Sequence, residues 1–132
     1  MDPSQALAEL KQISAQVQDA VIFDESGAVV ASTVGEERAP TMARAAHRLL
    51  ENAAGAVDRG DQIVQLEAVL SEGSVVVARE GATAVAATTV PDPTVGLIFY
   101  DLRTCLRALN EEEEKPKPRR RAPAKKKDDD EA

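Results

Sequence analysis

The chain has 132 residues, a formal net charge of −7, 43% apolar and 2% aromatic side chains, and a single cysteine. That length suits one domain with enough chain to bury a core. A lone Cys105 excludes an internal disulfide framework and a cysteine-based zinc site. The only aromatic residues are Phe23, Phe99 and Tyr100, so the core has to be built from Val, Leu, Ile and Ala. No apolar run approaches the ~18 residues a membrane helix needs. The opening Met1-Asp2-Pro3-Ser4 also lacks the basic-then-apolar order of a secretory leader. The expectation is a soluble protein of the reducing cytoplasm.

Charge divides the chain. Residues 1–110 carry 15 acidic and 8 basic side chains, whereas residues 111–132 carry 8 of each. An acidic body repels nucleic acid and anionic lipid at long range, so neither is an expected partner. The last stretch reads EEEE, then KPKPRRRAPAKKK, then DDDE, with alanine as its only apolar residue. Burial cannot offset the ordering entropy of such a segment. The expected organisation is therefore a domain over 1–110 and a disordered charged tail over 111–132.

Within the domain, a first helix is expected from Asp2-Pro3, a cap followed by a first-turn proline. Leu7, Leu10, Ile13 and Val17 form its apolar stripe. Strands are expected over Asp19 to Phe23 and Ala28 to Thr33, joined by the turn Asp24-Glu25-Ser26-Gly27. A second helix runs from about Pro40 to Val57, with Asp58-Arg59-Gly60 as its exit. Strand three, Gln62 to Leu70, puts Val64, Leu66, Ala68 and Leu70 on one face and the polar Gln65 and Glu67 on the other. Strands four (Val75 to Arg79) and five (Ala82 to Val90) follow across short glycine turns. A last helix is expected from Asp92-Pro93, with Val95, Ile98, Phe99, Leu102, Leu106 and Leu109 as a continuous stripe. The fold class is α+β: five antiparallel strands sandwiched by helices, in the order α-β-β-α-β-β-β-α.

That order, the hairpin text FDESGAVVAST (Phe23 to Thr33) and the closing VGLIFYDLRTCLRAL (Val95 to Leu109) resemble the roadblock / dynein light chain family, whose fold is profilin-like. The family's acidic-x-x-Gly-apolar turn corresponds to Asp24 and Gly27. Its alanine-rich second helix corresponds to Ala39 through Val57, and its Gly-apolar helix start to Gly96-Leu97. The resemblance spans about residues 4–109 and rests on the eight elements appearing in order, since each motif alone is weak. It implies a homodimer or heterodimer in which strand three of two subunits pairs and the two copies of helix two lie side by side. It also implies a non-enzymatic regulator or scaffold, often of a small Ras-like GTPase. It carries over no catalytic residue, and the tail has no counterpart in it.

Helix two supports a dimer without the family. At about 100° per residue, Met42, Ala45, Ala46, Leu49, Leu50, Ala53, Ala56 and Val57 share one side. Ala43 and Ala54 widen the apolar arc to roughly 180°, against the ~100° that one sheet face needs. The bland alternative is that alanine simply favours helix. The expected interface is Ala45, Ala46, Leu49, Ala53 and Ala56 on the helix, with Gln65 and Glu67 on strand three; Ala45 and Ala56 are the flank best placed for a partner. The polar arc, with Arg44, His47, Arg48 and Glu51, is a candidate docking face for a GTPase, or a solvated face of local ion pairs.

Other chemistry is sparse. His47 has no Cys or His at ligand spacing and reads as a solvent-facing or interface histidine. Cys105 reads as a buried, inert thiol. Asp24 and Glu25 lack an apolar wall to split their pKa values and read as turn residues. None of the G-x-S-x-G, G-x-x-x-x-G-K-[ST] or G-x-G-x-x-G patterns occurs. No catalytic, cofactor or metal residue is expected. The alternative to a dimeric regulator is a sensory module that binds a small ligand, which the scarcity of aromatic lining disfavours.

Overall fold

A computed structural model describes residues 1–57 and 64–114, with side chains described up to residue 110. The elements are α1 (Pro3–Ile13), β1 (Val17–Phe23), β2 (Val29–Ser32), α2 (Ala39–Gly55), β3 (Gln65–Leu70), β4 (Gly73–Glu80), β5 (Thr83–Thr89) and α3 (Val95–Glu114). The strands form one antiparallel sheet in the order β2-β1-β5-β4-β3. β1 and β5 meet at the centre, although four elements separate them in the chain. β2 and β3 are the two edges.

The sheet divides the core in two, because alternate residues of a strand project to opposite faces. On one face Ile22, Val76, Ala78, Val85 and Ala87 pack against Leu7 and Leu10 of α1 and Ile98, Leu102 and Leu106 of α3. On the other, Val21, Phe23, Val77, Ala84 and Ala86 pack against Ala43, Ala46 and Leu50 of α2. Among the described residues the helices are thus unequally shared: α1 and α3 cover one face together, and α2 is the one helix on the other.

The expected architecture is the observed one, with shifts at element ends. β1 begins at Val17, which pairs with Thr89, so Val17 belongs to the sheet and not to the α1 stripe. Ile13 closes α1 and is 60% exposed. Asp92 does not cap α3. It has φ 53, off the helical path, and the helix begins at Val95 after Thr94. The Thr94 carbonyl accepts the Ile98 N–H, while its own N–H donates to the Gln16 side chain at 2.8 Å. α3 continues through Glu114, four residues past the expected domain boundary. The exit Asp58-Arg59-Gly60, the first two residues of the expected strand three, and the tail from residue 115 lie outside the described residues.

Candidate functional site

α2 has its helical register fixed by a stripe of Ala39, Ala43, Ala46 and Leu50, spaced i, i+4, i+7, i+11 and buried against the sheet. The stripe contacts β1, β2 and β5. This corrects the position of two alanines. Ala46, expected at an interface, is 2% exposed and sits in the core beneath the helix. Ala43, read as a widening flank, is at the centre of the buried stripe. The remaining apolar residues form a second strip to one side. There Ala45, Leu49 and Ala56 are exposed, and Met42 and Ala53 are half-buried. Leu49 is left 37% exposed within its own protomer.

That strip borders a part of the sheet with little helix above it. Leu66 and Val75 reach the margin of the α2 cluster and are only partly buried. Val64 and Leu70 remain 57% and 61% exposed. Leu66, Ala68 and Leu70 stand opposite Val77, Val75 and Gly73 of β4, which fixes them on the α2 side. Met42 packs against the same buried cluster as Leu66 and Val75, so these residues form an apolar shelf beside α2, and the exposed Leu49 lies on the Met42 flank of that helix.

Among the described residues no strand pairs with the outer edge of β3. The Arg79 N–H donates to the Val64 carbonyl at 2.9 Å, and the pairing continues as Leu66 with Val77, Ala68 with Val75 and Leu70 with Gly73. In an antiparallel ladder the residues that exchange bonds alternate with those that do not. The even-numbered residues therefore bond to β4, and the backbone groups of Gln65, Glu67 and Val69 point outward. Gln65 and Glu67 project to the α3 side of the sheet, and both are exposed. The Ser74 hydroxyl donates to Glu67 Oε2 at 3.3 Å.

The opposite flank of α2 is polar and differently used. Arg44, Arg48 and Glu51 are exposed. His47 is not solvent-facing: its side chain is 20% exposed, and Nε2 lies 2.8 Å from the Glu25 carbonyl. A carbonyl only accepts, so Nε2 carries the proton. The ring meets Phe23 edge-on, with centroids 6.3 Å apart, and the Glu51 carboxylate is 3.6 Å from Nε2. His47 thus pins the β1–β2 turn to α2, a role invisible in sequence because Glu25 lies 22 residues away. Gly27, at φ 87, leaves no Cβ against this ring; one placed there would come within 3.2 Å of His47 Cγ.

Asp24 organises the same turn, as expected. Its Oδ1 accepts the Ser26 N–H at 2.9 Å, the Ser26 hydroxyl at 2.7 Å and the Ala28 N–H at 3.0 Å. The Ser26 hydroxyl, followed by the Ala28 N–H, holds the carboxyl below the ordinary aspartate range. Between this turn, α2 and the β4–β5 turn is a cleft of about 210 Å³ with Phe23, Leu50 and Ala84 at its floor. Cys105 is buried between α1 and α3; burial first, and the Glu9 charge second, push its thiol up to about 11. Among the described residues no three His, Cys, Asp or Glu side chains converge to hold a metal ion, and no helix is long and apolar enough to cross a membrane.

No protein-family sequence model matches the chain, and no curated protein sequence matches it. Solved structures do. A roadblock/LC7 domain from Streptomyces avermitilis superposes with a TM-score of 0.76 at 17% identity, covering 86% of this chain and 98% of that one. MglB from Myxococcus xanthus gives 0.72 at 12% identity, covering 86% and 89%. Profilin II from Acanthamoeba castellanii gives 0.54 at 13% identity, covering 75% and 89%. The chain has the roadblock fold.

Proposed function

We propose that this chain is a non-enzymatic, cytoplasmic, dimeric regulatory module that works by binding other proteins, with a small Ras-like GTPase as its partner class. The observation that carries the reading is the apolar shelf of Met42, Leu66 and Leu70, with the exposed Leu49 on the same flank of α2, ending at the outer edge of β3. A long exposed edge beside exposed leucines is an aggregation liability unless a partner covers it. A second copy covers both at once: edge pairing satisfies the outward backbone groups, and the Ala45–Leu49–Ala56 strip of each α2 packs on its counterpart. Small side chains let the helix backbones approach closely.

The roadblock fold supports the GTPase part of the reading. In such a dimer Arg44, Arg48 and Glu51 lie on the surface of α2 away from the sheet, free to meet a partner. Static light scattering after size exclusion tests the dimer. Wild type should run as a dimer at micromolar concentration. Ala45→Glu should run as a monomer with a native circular dichroism spectrum, because Ala45 is exposed within the protomer. An unpaired charge buried in an interface costs about 3–5 kcal/mol, or roughly a hundredfold or more in dimer affinity. For the GTPase, Ras-like proteins of the same genome, loaded with GDP or a GTP analogue, should bind wild type in calorimetry. They should bind Arg44→Glu/Arg48→Glu more weakly. Absence of binding by all of them would sink that part.

A further inference from the structure

From the β3 edge we infer the register of the dimer: the two-fold axis passes through Leu66, so that Gln65 of each copy faces the partner's Glu67. This rests on the dimer proposed above and goes beyond it, because an edge can pair with its own copy in several registers that differ in every side-chain contact.

Geometry restricts the choice. Facing residues of an antiparallel pair project to the same side of the sheet. A two-fold axis normal to the sheet keeps each residue on its own side. Facing residues are therefore separated by an even number of positions, and the axis must fall on a residue and not between two. Over Val64 to Leu70 the register centred on Glu67 pairs all seven residues, and those centred on Leu66 or Ala68 pair five each, 64–68 or 66–70.

Centring on Glu67 sets that carboxylate directly opposite the partner's Glu67, a like-charge pair at the heart of the ladder, which is destabilising. Centring on Ala68 sets Glu67 opposite the partner's Val69, a carboxylate against an apolar side chain, twice by symmetry. Centring on Leu66 matches both faces. On the α2 side Leu66 meets the partner's Leu66, and Val64 meets the partner's Ala68, so the shelf closes under the two helices. On the α3 side the Gln65 amide meets the partner's Glu67 carboxylate. Glu67 Oε2 already accepts from Ser74, which leaves Oε1 for the amide. The backbone permits this register as it permits the other two: Gln65, Glu67 and Val69 all point outward, and here Gln65 and Glu67 would exchange the hydrogen bonds, so the choice rests on the side chains.

Cysteine cross-linking of the full chain with oxidised glutathione reads the register. At Leu66 the pair is a non-hydrogen-bonded one with Cα atoms about 4.5 Å apart, within the ~4.4–6.8 Å a disulfide spans. Leu66→Cys should convert most of the protein to covalent dimer, and wild type, whose Cys105 is buried, should not. Ala68→Cys alone should fail, because four residues of offset put the two thiols about 13 Å apart along the strands. An equimolar mixture of Val64→Cys and Ala68→Cys should give the mixed disulfide, which keeps the test alive if Leu66→Cys folds poorly. Gln65→Glu should weaken the dimer, and Gln65→Glu/Glu67→Gln should restore it. Efficient cross-linking of Ala68→Cys or Glu67→Cys by itself would overturn the register while leaving the dimer standing. A dimer in light scattering that none of these cysteines cross-links would move the interface away from β3. A wild-type monomer would remove the dimer and the register together.

Discussion

Gly73→Ala is the substitution whose cost the backbone geometry fixes most directly. Gly73 opens β4 at φ 149, in a region essentially reserved for glycine, and a Cβ built there would lie 2.2 Å from the Thr89 carbonyl oxygen. That is about 1.2 Å inside the 3.4 Å at which ordinary contact begins. The oxygen cannot swing aside. Thr89 ends β5, its hydroxyl accepts the Ser74 N–H at 3.0 Å, and Thr88 beside it pairs with Val75. Relief must come from moving a strand. Backbone strain of about 1–3 kcal/mol and overpacking of about 1–3 kcal/mol together give roughly 2–6 kcal/mol. For a domain of this size each 1 kcal/mol shifts the thermal midpoint by about 4–8 °C, so Gly73→Ala should lower it by at least ~8 °C. Gly35→Ala is the control, since nothing lies within 4 Å of its Cβ position. Differential scanning calorimetry of both variants decides the matter. Equal midpoints would refute the clash, and with it the packing of the β3–β4 turn against the end of β5.

Three further outcomes follow from the same structure. Leu50→Ala, at a side chain 1% exposed beneath α2, should cost about 2–5 kcal/mol in urea unfolding; a cost under 1 kcal/mol would mean that α2 is loosely docked. Because the Ser26 hydroxyl lowers the folded pKa of Asp24, its contribution is present above the unfolded value of about 3.9 and is lost as pH falls through the lower folded value. Asp24→Ala should therefore flatten part of the acid limb of stability against pH; an unchanged limb would show that the turn contacts persist into the unfolded chain. With its thiol pushed up to about 11, Cys105 should react with iodoacetamide at pH 8 more than roughly a hundredfold slower than a free thiol. Rapid labelling without denaturant would show that α1 and α3 part readily.

The fold was legible because its signals were redundant. α3 has Ile98, Phe99, Leu102, Leu106 and Leu109 buried at helical spacing, and no strand presents that period. β5 lies between the well-marked turns at Gly81 and Pro91. The errors fall where local chemistry was ambiguous. Asp92-Pro93 reads as a cap and first turn, yet Asp92 lies between Pro91 and Pro93 and takes a positive φ, which postpones the helix to Val95. Val17 fits the apolar stripe of α1 by spacing, but a helix stripe and the first residue of a strand are indistinguishable when each is one valine.

The surface was legible only in outline, and α2 shows why. An apolar arc of roughly 180° is wider than one sheet face buries, but it does not say which of its residues the sheet takes. Ala43 and Ala45 are the same residue type two positions apart, and one is 0% exposed while the other is exposed. What separates them is the crossing of α2 over β1, β2 and β5, a fact of tertiary packing with no local signature. The same holds for Gln65 and Glu67. Their alternation with Leu66 and Ala68 placed them on the polar face of β3, but the direction of their backbone groups depends on the pairing with β4, which a single strand does not encode. The sum of surfaces is therefore readable from sequence, and their division among neighbours is not. That asymmetry makes Ala45→Glu and Ala46→Glu a matched pair, adjacent on the helix and equal in charge. The first should separate protomers that remain folded, by placing the charge on the exposed strip. The second should unfold the protomer, because Ala46 lies against the sheet at 2% exposure. Circular dichroism with light scattering distinguishes the two. If both variants stayed folded and dimeric, the division of α2 into a core stripe and a partner strip would be wrong.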